Sequence, residues 1–140
     1  MKQIYRSYIN YFSALSLETV PDLRTLVSAD FHFVDPFNDV RDREMVIHIF
    51  QKMFQTVGDP KFCFVSSYEE SGDLYVLWDF TFTSRLLAGG PHHTIRGMSR
   101  VREEGGQIVE HIDYWDSGKH IYGKIPGFRW LIKVLQKFLG

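Results

Sequence analysis

The chain has 140 residues, 44% hydrophobic and 24% charged, with a net charge of −1. That length supports one domain with its own core, and the composition excludes collagen-like, low-complexity and wholly disordered chains. The near-neutral charge argues against general nucleic-acid binding, and the single cysteine, Cys63, excludes an internal disulfide and a cysteine-rich zinc site. With no signal-like start and no apolar run near the roughly 18 residues of a membrane span, the chain reads as soluble and cytoplasmic. The charge is unevenly spread. Residues 119–140 hold Lys119, Lys124, Arg129, Lys133 and Lys137 and no acid, so a basic tail follows an acidic body.

Ile4, Tyr8, Tyr11, Phe12 and Leu15 recur at three and four and predict an amphipathic helix. A second short helix follows, with Thr19 as its cap, Pro21 in its first turn and Leu23, Leu26 and Val27 as its face. FHFVDPF alternates, which places Phe31, Phe33 and Asp35 on one side of a strand that Pro36 ends. Asp42 is positioned to cap a third helix with the stripe Val46, Ile49, Phe50, Met53, Phe54 and Val57. After Gly58-Asp59-Pro60, four segments rich in β-branched and aromatic residues are separated by Ser71-Gly72-Asp73, Gly89-Gly90-Pro91 and Gly105-Gly106. They predict an antiparallel meander and an α+β fold. Pro126-Gly127 breaks the chain before a last helix, whose apolar stripe runs beside the basic positions Arg129, Lys133 and Lys137. Residues 1–118 form the expected domain. Residues 119–140 form a basic amphipathic helix, either part of that domain or an appendage.

The last strand carries the chemistry. Alternation puts Val109, His111, Asp113 and Trp115 on one face and Glu110, Ile112 and Tyr114 on the other. Burying His111 and Asp113 without partners costs several kcal/mol, on the order of 2–7 for each polar group, so they either line a cavity or pair with one another. Trp78 and Phe80 share a face with Phe82. Arg96, Met98 and Arg100 share one face of their strand, and Ile95, Gly97, Ser99 and Val101 share the other. No phosphate-binding glycine loop or nucleophilic serine elbow is present. His92 and His93 point to opposite strand faces, which disfavours a joint metal site.

The order of elements, with VDPFNDVRDREMV and GGQIVEHIDYWD, resembles the nuclear-transport-factor-2-like fold, in particular the ketosteroid isomerases and SnoaL-like polyketide cyclases. The resemblance implies a cone of helices in a bent sheet, with a pocket at its open end and frequent dimerisation. It implies that Asp35, followed by Pro36, occupies the place of the isomerase base and Tyr11 that of the oxyanion tyrosine. The second oxyanion donor falls on Met98, which has no proton to give. The cyclase pattern puts Asp113 in the place of the acid and base, with His111 as its partner.

The candidate catalytic residues are therefore Asp113, His111, Asp35 and Tyr11. Trp115, Trp78, Phe80, Met98 and Arg96 are candidates to line the pocket, and neither a metal nor a cofactor is expected. The expected function is binding of a small hydrophobic molecule in an acid-lined pocket. One reading makes the chain a cofactor-independent isomerase, cyclase or lyase that moves a proton next to a carbonyl. The other makes it a non-catalytic ligand-binding or dimerisation module. A homodimer is expected through the outer face that holds Glu110, Ile112 and Tyr114. The last helix either docks on protein or lies on an anionic membrane surface.

Overall fold

The computed structural model describes residues 1–125 and 127–140, with the side chain of Arg129 left out. The break expected at Pro126 and the basic side chain expected at Arg129 lie outside the described residues. Helix α1 spans Gln3–Ser13 and buries Tyr5, Tyr8 and Phe12. The second helix is a 3-10 turn over Val20–Thr25 with Pro21 at its start. Thr19 does not cap it, because its hydroxyl donates back to the carbonyl of Ser16. Strand β1 covers Val27–Val34 and β2 only Asp39–Val40. Helix α2, Arg43–Thr56, is capped as its sequence predicts: the Asp42 carboxylate accepts from the backbone N–H groups of Glu44 and Met45.

Four long strands follow: β3 Gly58–Glu70, β4 Asp73–Thr83, β5 His92–Glu104 and β6 Gln107–Tyr114. They form the expected meander, and β1 adds to β6 in parallel, giving the order β2-β1-β6-β5-β4-β3. Gly58-Asp59-Pro60 belongs to the start of β3, where the register slips and Asp59 adopts φ 44°, so the turn signal marks a bulged strand. The helices pack on the inner face of the curved sheet. The core joins Tyr5, Tyr8 and Phe12 of α1 to Val46, Ile47 and Phe50 of α2 and to Val76, Trp78, Phe82, Ile95 and Val101 of the sheet. This is the expected α+β fold.

The faces of β6 need one correction. Ile108, not Val109, shares the buried side with His111. The ladder steps from Arg102 opposite Glu110 to Glu103 opposite Ile108, which leaves Val109 as an extra residue. The bulge lets β6 bury both Ile108 and His111 despite their odd spacing. Beyond β6, Asp116 caps the short helix α3, Ser117–His120, and accepts from Lys119 N–H. A 3-10 turn at Tyr122–Lys124 leads to α4, Phe128–Leu139, which packs mainly on that turn. Among the described residues no helix is long and apolar enough to cross a membrane.

Candidate active site

The inner face of β5 runs His93, Ile95, Gly97, Ser99 and Val101, all buried. Ser99 is the one side chain there with a hydroxyl to satisfy. It stands opposite Asp113 in the β5–β6 register, and Gly97 stands opposite Trp78 in the β4–β5 register. Gly97 is required by close approach: a Cβ there would lie 2.4 Å from the Trp78 ring. The indole therefore lies against the sheet, and its Nε1–H donates to Ser99 Oγ at 2.7 Å. Ser99 in turn donates to Asp113 Oδ1.

His111 meets the same carboxylate oxygen from the other side, with Nε2 2.5 Å from Asp113 Oδ1. Its Nδ1 lies 2.8 Å from the hydroxyl of Tyr8, which is fully buried. An ionised Asp113 only accepts, so Nε2 carries a proton, and with a neutral ring Tyr8 donates to Nδ1. The result is a buried chain, Trp78–Ser99–Asp113–His111–Tyr8, drawn from four elements. Asp113 Oδ2 has no hydrogen-bond partner among the described residues. Burial first, then the nearby charge of Asp113, pushes the Tyr8 phenol well above its ordinary value, which keeps it a proton donor.

Beside this chain lies an apolar cavity of about 440 Å³, within the range of small-molecule sites. Its walls are mainly aromatic, from Phe33, Phe50, Phe62, Trp78, Phe80, Phe82 and Trp115, and its acids are Asp35 and Asp113. Lys52 of α2 also reaches it. A void of about 30 Å³ between Phe12, Phe64, Ser99, His111 and Asp113 is large enough for one water beside the polar chain. At the rim, Leu86 is 83% exposed, next to Leu87 and Ile121. Two contacts hold the rim together: Ala88 N–H donates to the Lys124 carbonyl at 2.9 Å, and Lys124 Nζ lies 3.3 Å from His93 Nδ1.

Asp35 has two attachments. Its Oδ1 accepts from the backbone N–H groups of Phe37 and Asn38, both at 2.7 Å, which builds the turn between β1 and β2. It also lines the cavity, where burial raises its pKa, the Phe37 and Asn38 bonds oppose the rise, and the charge of Asp113 adds to it. Two cavity carboxyls thus occupy unequal surroundings, the arrangement that separates an acid from a base.

Of the residues singled out by sequence, the structure brings Asp35, Asp113, Trp78, Phe80 and Trp115 to the cavity and His111 to the void behind it. Tyr11 reaches neither. Its hydroxyl points at the carbonyls of Thr19 and Val20, at 2.9 and 2.8 Å, and holds α1 to the following turn. Tyr8, one turn earlier, takes the inward place. Arg96 and Met98 also miss the cavity, because even-numbered residues of β5 face outward. Arg96 pairs with Asp79 through two bonds of 2.8 and 2.9 Å, and Met98 is 39% exposed. Sequence reasoning overlooked Tyr8 and Ser99. The signal for Ser99 was a lone hydroxyl on the face otherwise made by Ile95, Gly97 and Val101. Among the described residues no group of three or more His, Cys, Asp or Glu side chains is arranged to hold a metal ion.

Residues 8–111 match the family model described as a SnoaL-like domain. No curated protein matches the sequence. Solved structures share the fold at low identity. A protein of ketosteroid isomerase-like fold from Catenulispora acidiphila, solved with trimethylamine, is 13% identical with a TM-score of 0.73, over 90% of this chain and 95% of that one. A protein from Jannaschia described as a SnoaL-like polyketide cyclase is 13% identical with a TM-score of 0.74, over 89% and 92%. An NTF2-like protein of unknown function from Burkholderia pseudomallei is 15% identical with a TM-score of 0.74, over 91% and 100%.

Proposed function

The chain belongs to the SnoaL-like domain family, and from that premise we propose that it binds a small hydrophobic carbonyl compound and moves a proton at the carbon next to the carbonyl. The observation that carries this reading is the buried polar chain that ends at an apolar cavity on Asp113. Ionised Asp113 takes the α-proton through its unpartnered oxygen. The electrons of the broken C–H bond pass to the carbonyl oxygen as an enolate, and the same carboxyl returns a proton to carbon. His111 and Ser99 hold the carboxylate in place, and Tyr8 holds His111. Asp35, its pKa raised chiefly by burial, supplies a second carboxyl on the cavity.

The test is exchange of the α-protons of 2-tetralone for deuterium, followed by proton NMR. The wild-type chain should accelerate exchange, and Asp113→Asn should lose about 10²–10³ of that acceleration. Equal rates for the two would remove Asp113 from any catalytic role. A binding-only module is the second reading, and the turn bonds that occupy Asp35 favour it. It predicts that 2-tetralone changes the fluorescence of Trp78 and Trp115 with no gain in exchange.

We also propose a homodimer through the outer face. Leu77, Met98 and Tyr114 stand side by side across β4, β5 and β6 there, with Tyr114 59% exposed. Light scattering at micromolar concentration should give twice the chain mass, and Tyr114→Glu should halve it.

A further inference from the structure

Helix α4 is built unlike the rest of the chain. An open groove lined by Asp116, Gly118 and Lys119 on one side and Ile132, Leu135 and Leu139 on the other lies between it and α3. Phe128 is 49%, Leu131 44%, Leu135 45%, Phe138 81% and Leu139 83% exposed on this twelve-residue helix. At about 100° per residue these five positions fall within one arc about 100° wide, and Lys133 and Lys137 fall on the opposite side. Trp130, 70% exposed, falls beside Lys137 on the cationic side. Such exposure has no use in water. The charge narrows what covers it. Residues 119–140 carry five basic residues and no acid, whereas the preceding 118 carry eleven basic and seventeen acidic. An apolar face on a helix and tail that carry only cations complements a surface that is both apolar and anionic.

We propose that α4 is a peripheral anchor that lies on an anionic lipid surface, with its aromatic arc among the acyl chains and its lysines on the headgroups. The placement has a consequence for the cavity. The segment between β6 and α4 contributes Ile121 to the cavity rim, its Lys124 carbonyl holds the rim loop at Ala88, and Tyr122 packs on Phe128 with ring centroids 5.7 Å apart. Anchoring through α4 therefore brings the rim close to the lipid. A second copy of the chain is the competing occupant of the arc, and the test separates the two.

The full chain is sedimented with vesicles of 30% phosphatidylglycerol in phosphatidylcholine and with vesicles of phosphatidylcholine alone. Binding to the anionic vesicles is expected, at least tenfold weaker on neutral ones and weakened by raised salt. Each lysine near the surface is worth about fivefold in affinity, so Lys133→Glu with Lys137→Glu should weaken binding more than about 25-fold. Phe138→Ser with Leu139→Ser should abolish it while leaving circular dichroism and melting temperature unchanged, since both side chains are exposed. Brominated lipid should quench the fluorescence of Phe138→Trp more than that of the wild type, because the new indole stands on the apolar arc. Equal binding to both vesicles, or none to either, overturns the proposal. So does a wild-type dimer that the Phe138→Ser, Leu139→Ser pair converts to monomer, because the arc is then an interface between copies.

Discussion

The two faces of one sheet treat the same residue types in opposite ways. On the outer face of β4, β5 and β6 the charges cancel in neighbouring pairs: Arg96 with Asp79, Arg100 with Glu110 at 2.6 Å, and Arg102 with Asp73 at 3.3 Å. Each pair is partly in water and interchangeable with its neighbours. On the inner face Ser99, His111 and Asp113 lie among aromatic side chains and hold one another in fixed directions, with only Asp113 Oδ2 left without a partner among the described residues. Burial turns a set of polar residues into an ordered chain with a single outlet. Position in the pleat, more than composition, decides whether a polar residue pairs beside solvent or joins an ordered buried chain.

That contrast can be broken most directly at Gly97. Gly97→Ala drives a Cβ into the Trp78 ring, which cannot retreat because its Nε1 is bonded to Ser99. A cost of about 1–3 kcal/mol is expected, read as a fall of several degrees in melting temperature with a shifted tryptophan emission maximum. Next comes Tyr8→Phe, which keeps the ring and removes the donor to His111. A buried Nδ1 left without a partner costs about 1–2 kcal/mol. The specific readout is the nitrogen-15 spectrum of His111, where Nε2 keeps its proton against the Asp113 carboxylate and the Nδ1 resonance should shift on losing the Tyr8 hydroxyl. A spectrum identical to that of the wild type would mean that Tyr8 does not donate to Nδ1.

Much of this organisation was legible in the chain. The strands β3 to β6 announced themselves by alternation and by the glycine turns between them, and Asp42 announced its helix cap. His111 and Asp113 stood out as ionisable residues on a face that also carries Trp115. Tyr8 did not stand out, because Tyr8 and Tyr11 lie one turn apart on the same helix face and periodicity does not say how the helix is rotated against the sheet. Arg96 and Met98 were misplaced for a different reason. The alternation that sends Ile95 and Ser99 inward sends them outward, and resemblance to a family site outweighed it. Leu86 and Leu87 reach the cavity from a loop, where no period operates.

Asp35 sharpens the comparison within the inner face, since it has both a turn to hold and a cavity to line. Asp35→Asn keeps an acceptor for the Phe37 and Asn38 N–H groups and removes the charge. The folded-state pKa of Asp35 is raised, chiefly by burial. Its protonated form therefore favours folding below the unfolded value of about 3.9, and that contribution is lost as pH rises through the raised value. Melting curves should show the wild type and Asp35→Asn diverging between pH 4 and 7, with the variant gaining relative stability toward neutral pH. Parallel curves would show that the turn bonds fully offset burial.

The smallest effect belongs to the outer face. Arg96 holds the Asp79 carboxyl below its usual range through their two hydrogen bonds, yet both groups stand in solvent. Water and salt screen such a pair, and the long Arg96 side chain loses rotamer freedom in making it. Arg96→Met should keep the melting temperature within about 1 °C of the wild type at neutral pH. Whatever the pair contributes is present above the unfolded carboxylate value and disappears as pH falls through the lowered Asp79 value, so the two melting curves should merge in acid. They should also merge in high salt, where Tyr8→Phe and Gly97→Ala should keep their full deficits because the contacts they break are shielded from the solvent. A drop for Arg96→Met as large as that for Tyr8→Phe would mean that the outer pairs form an ordered network too, and the contrast between the faces would fail.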